Sequence, residues 1–343
     1  MPLSPSLAER ELAASLEVPD ALLVQSPAAA MHLALRVLGV GPARTVLVSA
    51  TARPSMVQPV GWLAAEPVLV DAQITSCNMD ELLVAAALRR SSRWHPPVQA
   101  VVVAHRFGVM AEIEAICAAA TAAGVPVIED VGAALGAWGP GVAAGTFGQI
   151  GVLTLPYGAA PDAGTAGALV SRDAEVVAMA RALAARPAEI PDGDGAAQSL
   201  DYTVAAACMP AIRAAARERH AALQRTRETR DWYSDALRWI PGLRLITSER
   251  SARSTGSVTA LLVEAARFGA TRDELALRLI DAGVLARGIA PPLHHHPRYF
   301  YAHAMLTGVA DHFRQSVVML PSGPDVGERE RQRVFEVLMG GRA

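Results

Sequence analysis

The residues that could do chemistry gather around one stretch of the chain. Val125 to Ile128 is a short β-branched run that ends in Glu129 and Asp130, with Gly132 and Gly136 just beyond it. A strand that runs into a small-residue turn sets its last carboxylates where open α/β sheets carry ligand sites, outside the strand carboxyl ends. His105 closes a second apolar run, Val98 to His105, and Tyr157 follows a third, Gly151 to Leu155. Asp130 and His105 at neighbouring strand ends would form an acid/base pair. Desolvation raises a carboxyl pKa, a nearby imidazolium lowers it, and groups pushed apart in this way supply a general acid and a general base. The catalytic candidates are therefore Asp130, His105 and Tyr157. The structural alternative is that Asp130 caps a helix starting near Val131 and His105 is a satisfied histidine under the next loop.

A missing residue type is as informative. All 31 Lys+Arg residues are Arg, and the chain contains no lysine. A Schiff base to a carbonyl cofactor needs a deprotonatable primary amine, which a guanidinium cannot supply. His294-His295-His296 invites a metal reading, but consecutive side chains point to alternate sides, and no carboxylate or cysteine has a spacing that completes a site. No metal is expected, and His294 is kept as a ligand contact.

The elements that must position these groups alternate. Leu22–Val24, Thr45–Ala50, a PVLVDA run, Val98–His105 and Val125–Ile128 read as strands. Helices are expected from Ser6, from Ser26-Pro27 to about Leu38, over Met79–Arg89 and over Ala111–Ala123, where Gly124 stops the last. This spacing predicts an α/β fold with a mostly parallel sheet covered on both faces. Arg186–Ser199 reads as a loop and Pro210–Leu237 as a long Arg-rich bridging helix. Trp239-Ile240-Pro241-Gly242 then marks a boundary between a large domain, 1–240, and a small α+β domain, 241–343.

Composition narrows the partners. The chain has 343 residues, 52% hydrophobic and 19% charged, with a net charge of -2. No basic surface for nucleic acid is expected, nor any membrane span or signal peptide. The three scattered cysteines, Cys77, Cys117 and Cys208, suit a reducing cytoplasm better than a disulfide framework.

Several segments resemble one family. VIEDVGAALGA is similar to the ViEDaAqalGA segment of the DegT/DnrJ/StrS sugar aminotransferases. GTFGQIGVLTL, then AGTAGALVS, resembles their G-s-f-G-d-x-g-x-F-S-F, a lysine, and G-E-G-G. QSPAAAMHLAL resembles S-G-T-A-A-L-x-L-A-L, AVVVAHRFG resembles A-I-i-p-V-H-l-y-G, and the PPLHHHPRYFY and SVVMLPSGPDVGERERQRV segments resemble the family's C-terminal motifs. The likeness runs in order over nearly the whole chain. It implies a fold-type-I aminotransferase scaffold and a homodimer, with a heterodimer with a paralogue as the alternative.

The resemblance implies that Asp130 would bind the pyridine nitrogen of pyridoxal phosphate and that the turn at Ser26 would face its phosphate. It implies ligand contacts at Ser26, Thr51, Thr154, Gly158, Ala159, Tyr202 and His294. The departures are specific. Gly158 or Ala159 stands at the lysine position, Pro27-Ala28 replaces Gly-Thr, Ala52 replaces the ring-stacking aromatic, Ala133 replaces Gln or His, and Thr203 stands near a family Arg. The expectation drawn from these departures is that no pyridoxal cofactor is used. The function expected is a repurposed, pyridoxal phosphate-independent acid/base enzyme on a natural-product or sugar-like small molecule. The alternatives are a non-catalytic partner of an active paralogue, and pyridoxamine or pyridoxal phosphate bound without a covalent bond.

Overall fold

A computed structural model describes residues 6–90, 96–139, 141–155, 166–191, 197–205, 208–246 and 254–340. Its centre is an eight-stranded sheet. In chain order the strands are β1 (Asp20–Val24), β2 (Thr45–Ser49), β3 (Glu66–Val70), β4 (Val98–Ala104), β5 (Val127–Asp130), β6 (Ile150–Leu155) and β7 (Ala166–Ser171). β8 (Ala188–Pro191) and β9 (Ala197–Leu200) form a separate antiparallel pair. Beyond them come β10 (Leu243–Leu245), β11 (Thr259–Val263), β12 (Arg287–Gly288), β13 (Ala304–Met305) and β14 (Val317–Leu320).

The large sheet has the order β1-β7-β6-β5-β4-β2-β3-β13. Its strands from β6 through β13 are parallel, and β7 turns the other way between β1 and β6. The central strands are buried along their length except at the half-buried Gln99, as the apolar runs of a sheet covered on both faces require.

The helices are α1 (Leu7–Leu16), α2 (Pro27–Val37), α3 (Pro54–Trp62), α4 (Glu81–Arg89), α5 (Ile113–Ala122), α6 (Ala174–Ala184), α7 (Met209–Leu237), α8 (Ala265–Phe268), α9 (Arg272–Asp281), α10 (Val309–Ser316) and α11 (Glu328–Gly340). One apolar layer joins the sheet to α1, α4 and α5, and the other joins it to α2, α3 and α6. Start signals legible in the sequence hold these helices. Ser6 and Glu9 make a capping box on α1, and the Ser26 hydroxyl accepts from the Ala29 N–H at the head of α2, where Pro27 is the first helical residue.

A four-stranded antiparallel sheet, β10-β11-β14-β12, builds a second core with α9, α11 and the end of α7, around Tyr233, Leu275 and Leu338. The segment after residue 241 does not all stay there. β13 pairs with β3, and Leu293, Tyr299 and Ala310 join the core of the large sheet. Asp71, at the end of β3, fastens this return. Its carboxylate accepts the N–H groups of Gly308, Val309 and Ala310 and the Thr307 hydroxyl, at 2.9–3.2 Å. Burial pulls the Asp71 carboxyl up, but these donors outweigh it and hold it below its ordinary range.

The structure departs from the sequence reading in identifiable places. The stretch Arg186–Ser199, read as a loop, holds β8 and β9 on either side of undescribed residues 192–196. α3 forms despite the internal Pro59. No helix starts at Val131: residues 132–136 make turns, so Asp130 caps no helix. No helix among the described residues is long and apolar enough to cross a membrane.

Candidate functional site

The carboxyl edge of the large sheet collects Ser26 after β1, Thr51 after β2, His105 after β4, Asp130 at the end of β5 and Thr154 in β6. The backbone is drawn tight there. A Cβ on Gly167 would come within 2.2 Å of the Ser26 carbonyl oxygen, so only glycine lets the head of α2 lie against β7.

Glu129 and Asp130 face opposite sides of the sheet. Glu129 is fully buried, and its carboxylate accepts the backbone N–H groups of Gly145, Phe147 and Gly148 at 2.7–3.0 Å. His105 Nε2 sits 2.9 Å from the same carboxylate, and His105 Nδ1 accepts from the Ala111 N–H at 3.1 Å. Both ring nitrogens are therefore engaged below the surface. His105 and Asp130 are joined only through backbone, by the His105 N–H to the Asp130 carbonyl. The expected Asp130–His105 side-chain pair is not formed, because the alternation along β5 hands His105 to Glu129 instead.

Asp130 has a different partner. Its Oδ1 accepts from the Gly132 N–H at 3.1 Å and from Arg53 Nη2 at 3.3 Å, while the same Arg53 nitrogen lies 3.4 Å from Thr154 Oγ1. Among the described residues no hydrogen bond reaches Oδ2. Gly132 leaves the guanidinium its room, since a Cβ there would fall 2.5 Å from Arg53 Nη2. Arg53 was not among the candidates read from the sequence. Nothing in the pattern around Ala52 tells that the next side chain turns inward over β5.

The remaining candidates divide. Ser26 caps α2, and Thr51 Oγ1 bonds the Cys77 carbonyl and the Ser49 hydroxyl, so both hydroxyls serve local structure. Tyr202 is buried under α2, where its hydroxyl lies 2.8 Å from His32 Nδ1 and 3.2 Å from Arg36 Nη1. Burial, and then the neighbouring Arg36, push the His32 imidazole down to about 4. Tyr157, Gly158 and Ala159 lie outside the described residues.

His294 meets a carboxylate that sequence spacing did not offer. His294 Nε2 is 3.0 Å from Asp311 Oδ2 and His295 Nε2 is 2.6 Å from Oδ1, both across from α10. A 3-10 turn over Leu293–His295, bonded at its start to the Ala50 carbonyl, brings the two neighbouring rings to one side. That corrects the expectation that adjacent histidines diverge and find no acid. Burial pulls the Asp311 carboxyl up and the two histidines pull it down further, leaving it below its ordinary range.

With this geometry in view, comparison with known proteins decides the family. The model of the DegT/DnrJ/EryC1/StrS aminotransferase family matches residues 6–339. The chain belongs to that family. It is 28% identical over 338 residues, 96% of this chain and 86% of the other, to "Putative pyridoxal phosphate-dependent aminotransferase EpsN" of Bacillus subtilis (strain 168). It is likewise 28% identical, over 90% of this chain and 80% of the other, to the UDP-N-acetyl-3-dehydro-alpha-D-glucosamine 3-aminotransferase of Acidithiobacillus ferrooxidans. Among solved structures, S. venezuelae DesV superposes with a TM-score of 0.85 at 25% identity, covering 99% of this chain and 90% of that one. The mostly parallel sheet between helices is thus the fold-type-I aminotransferase architecture expected from the sequence.

The same relatives correct two expectations. A pyridoxal phosphate-independent acid/base enzyme does not fit a family whose members are named as aminotransferases, and "no cofactor" does not fit a relative named for pyridoxal phosphate. The lack of lysine stands as a fact of the sequence. What the family overturns is the inference drawn from it. The buried Asp130 carboxylate, with no hydrogen bond to Oδ2 among the described residues, fits a cofactor carrying a protonated ring nitrogen, and the N-terminal dipole of α2 favours a phosphate. Pro27 has no N–H and the Ser26 side chain takes the Ala29 N–H, so this grip is thin. The residues present fit a pyridoxal-class cofactor held by charge and hydrogen bonds, and no side chain can hold it through an amine bond.

Proposed function

We propose that the chain exchanges an amino group with a carbonyl on a sugar-like or cyclitol-like small molecule in a biosynthetic pathway, using a pyridoxal phosphate-class cofactor at the carboxyl edge of the large sheet. Membership of the aminotransferase family supports the reaction class, and the names of its relatives support the kind of substrate. The observation that carries the reading is the buried Asp130 carboxylate, whose Oδ2 takes no hydrogen bond among the described residues. When bound, such a cofactor supplies an electron sink for amine and carbonyl exchange.

The chain's own residues would do the following. Asp130, which accepts the Gly132 N–H, would hold a proton on the cofactor ring nitrogen. Arg53 would share Oδ1 with the entering ligand; its side chain is 39% exposed. Thr154 Oγ1 orients the same edge, and the head of α2 at Ser26 faces the phosphate. Glu129 and His105 fix the 145–148 turn beneath and take no part in proton transfer. A homodimer of the kind expected from the family belongs to this proposal.

The test is single-turnover amine transfer. Chain loaded with pyridoxamine 5′-phosphate is mixed with a panel of keto-sugar nucleotides and keto-cyclitols, and the amino product is followed by mass spectrometry. Formation of an aminated product that disappears in Asp130→Asn supports the proposal. No product from any member of the panel, with cofactor shown to be bound, removes it.

A further inference from the structure

The edge that holds Asp130 carries more positive charge than its own residues neutralise. Arg53 reaches in from the head of α3 to Asp130 and Thr154. A second guanidinium stands beside it. Arg106 follows His105 at the end of β4, its backbone N–H donates to Asn78 Oδ1 at 2.7 Å, and its side chain lies over the Phe107 ring at 5.1 Å. Arg106 Nε is sealed from solvent and has no hydrogen-bond partner.

The nearby acids are committed elsewhere. Glu129 is turned to the far face and saturated by four donors, and Asp71 is filled by the N-terminal amides of α10. Asp130 is left as one carboxylate against two guanidiniums. His105, the residue before Arg106, donates its N–H to the Asp130 carbonyl at 3.0 Å, so Arg106 leaves β4 beside Asp130. Burial, the largest influence, lowers its proton affinity, Arg53 lowers it further, and Asp130 opposes them. The turn that presents Arg106 is also held in an unfavourable shape, with Phe107 at φ 55° and Gly108 at φ 74°. A non-glycine residue in that region stores strain, and such strain clusters at ligand sites.

An orphaned buried N–H group such as Arg106 Nε calls for a partner. We propose that Arg53 and Arg106 together receive an anionic group, a carboxylate or a phosphate, of a small molecule bound over Asp130. This rests on the proposed function for the placement of the ligand, and it adds that the ligand is an anion read by two arginines. A guanidinium fork suits either group, because both present paired oxygens to parallel N–H donors.

The experiment is calorimetric titration of the untagged full chain with inorganic phosphate and with benzoate, in the wild type and in Arg106→Gln, Arg106→Lys and Arg53→Gln. One site per chain is expected for at least one probe, about tenfold weaker or more in either Gln variant, as loss of a charge-assisted bond implies, with part restored by Arg106→Lys. Melting temperature supplies the second readout. Without anion, Arg106→Gln should melt no lower than wild type, since it removes a buried N–H that has no partner, and it should lose the rise that phosphate gives the wild type.

Pyridoxal 5′-phosphate and pyridoxal then separate the sources. If Arg106→Gln weakens the first and spares the second, the anion is the cofactor's phosphate. If pyridoxal 5′-phosphate binds unchanged while phosphate or benzoate is lost, it is the substrate's anion. Probes that bind equally well to wild type and both Gln variants, or fail to bind at one site, overturn the proposal. So does an Arg106→Gln protein that melts lower yet binds normally, since that marks a structural arginine. Failure of pyridoxal 5′-phosphate to bind at all, with the anion site intact, would instead count against the proposed function.

Discussion

Glu129 and Asp130 are consecutive carboxylates in one strand, and their surroundings differ. Glu129 is enclosed with His105 and the N–H groups of Gly145, Phe147 and Gly148, so both oxygens are filled. Asp130 has one oxygen shared between Gly132 and Arg53 and, among the described residues, no hydrogen bond to the other. The first is a rivet for the turn beneath the sheet edge. The second is a charge kept available on the ligand side. A saturated carboxylate ties structure together, whereas one beside a partly exposed arginine can change partners.

The largest expected effect falls on the rivet. Glu129→Ala strands His105 and three amides, and should destabilise the fold by on the order of 3–5 kcal/mol in chemical denaturation, the usual result of breaking a buried pair. A loss below about 1 kcal/mol would show that the two carboxylates are less different than their partners imply. His105→Gln comes next, with a loss of about 1–3 kcal/mol from the buried bonds that His105 makes to Glu129 and to the Ala111 N–H. Its ligand affinity should match the wild type, and a drop in affinity without a drop in stability would return His105 to the site.

Asp130→Asn should behave in the opposite way. Stability should change by less than about 1 kcal/mol, because its partner Arg53 is partly exposed. A separate effect, read against pH, concerns the buried face of α2. His32 titrates at about 4 in the fold against an ordinary 6.5, so it stays neutral in the fold where the unfolded chain is already protonated. Stability should therefore fall as pH drops from 6.5 toward 4, by one proton's worth of linkage. In His32→Gln that slope should vanish from a series of denaturant melts, and an unchanged slope would place the titration elsewhere.

Much of the scaffold was legible. The buried runs at Thr45, Val98 and Val127 have the composition that a covered parallel sheet demands, and Ser26-Pro27 announced α2 through capping chemistry alone. The site was legible only in part. Asp130 could be placed at a strand end, but which acid His105 would meet depends on the phase of β4 against β5, a register that sequence spacing does not carry. Arg53, Arg106 and Asp311 escaped because an isolated charged residue gives no periodic signal, and each becomes informative only through a neighbour far along the chain. The lysine-free composition was read correctly as a residue count and too strongly as a function, since it bears on how a cofactor is attached and not on whether one is used.

The most direct measurement is calorimetric titration of pyridoxal 5′-phosphate into the wild type and into Asp130→Asn, followed by borohydride treatment and peptide mapping. One saturable site in the wild type is predicted, about tenfold weaker or more in Asp130→Asn, with no adduct on any side chain. The absence of a binding site in the wild type, or equal affinity in the two proteins, would contradict the account.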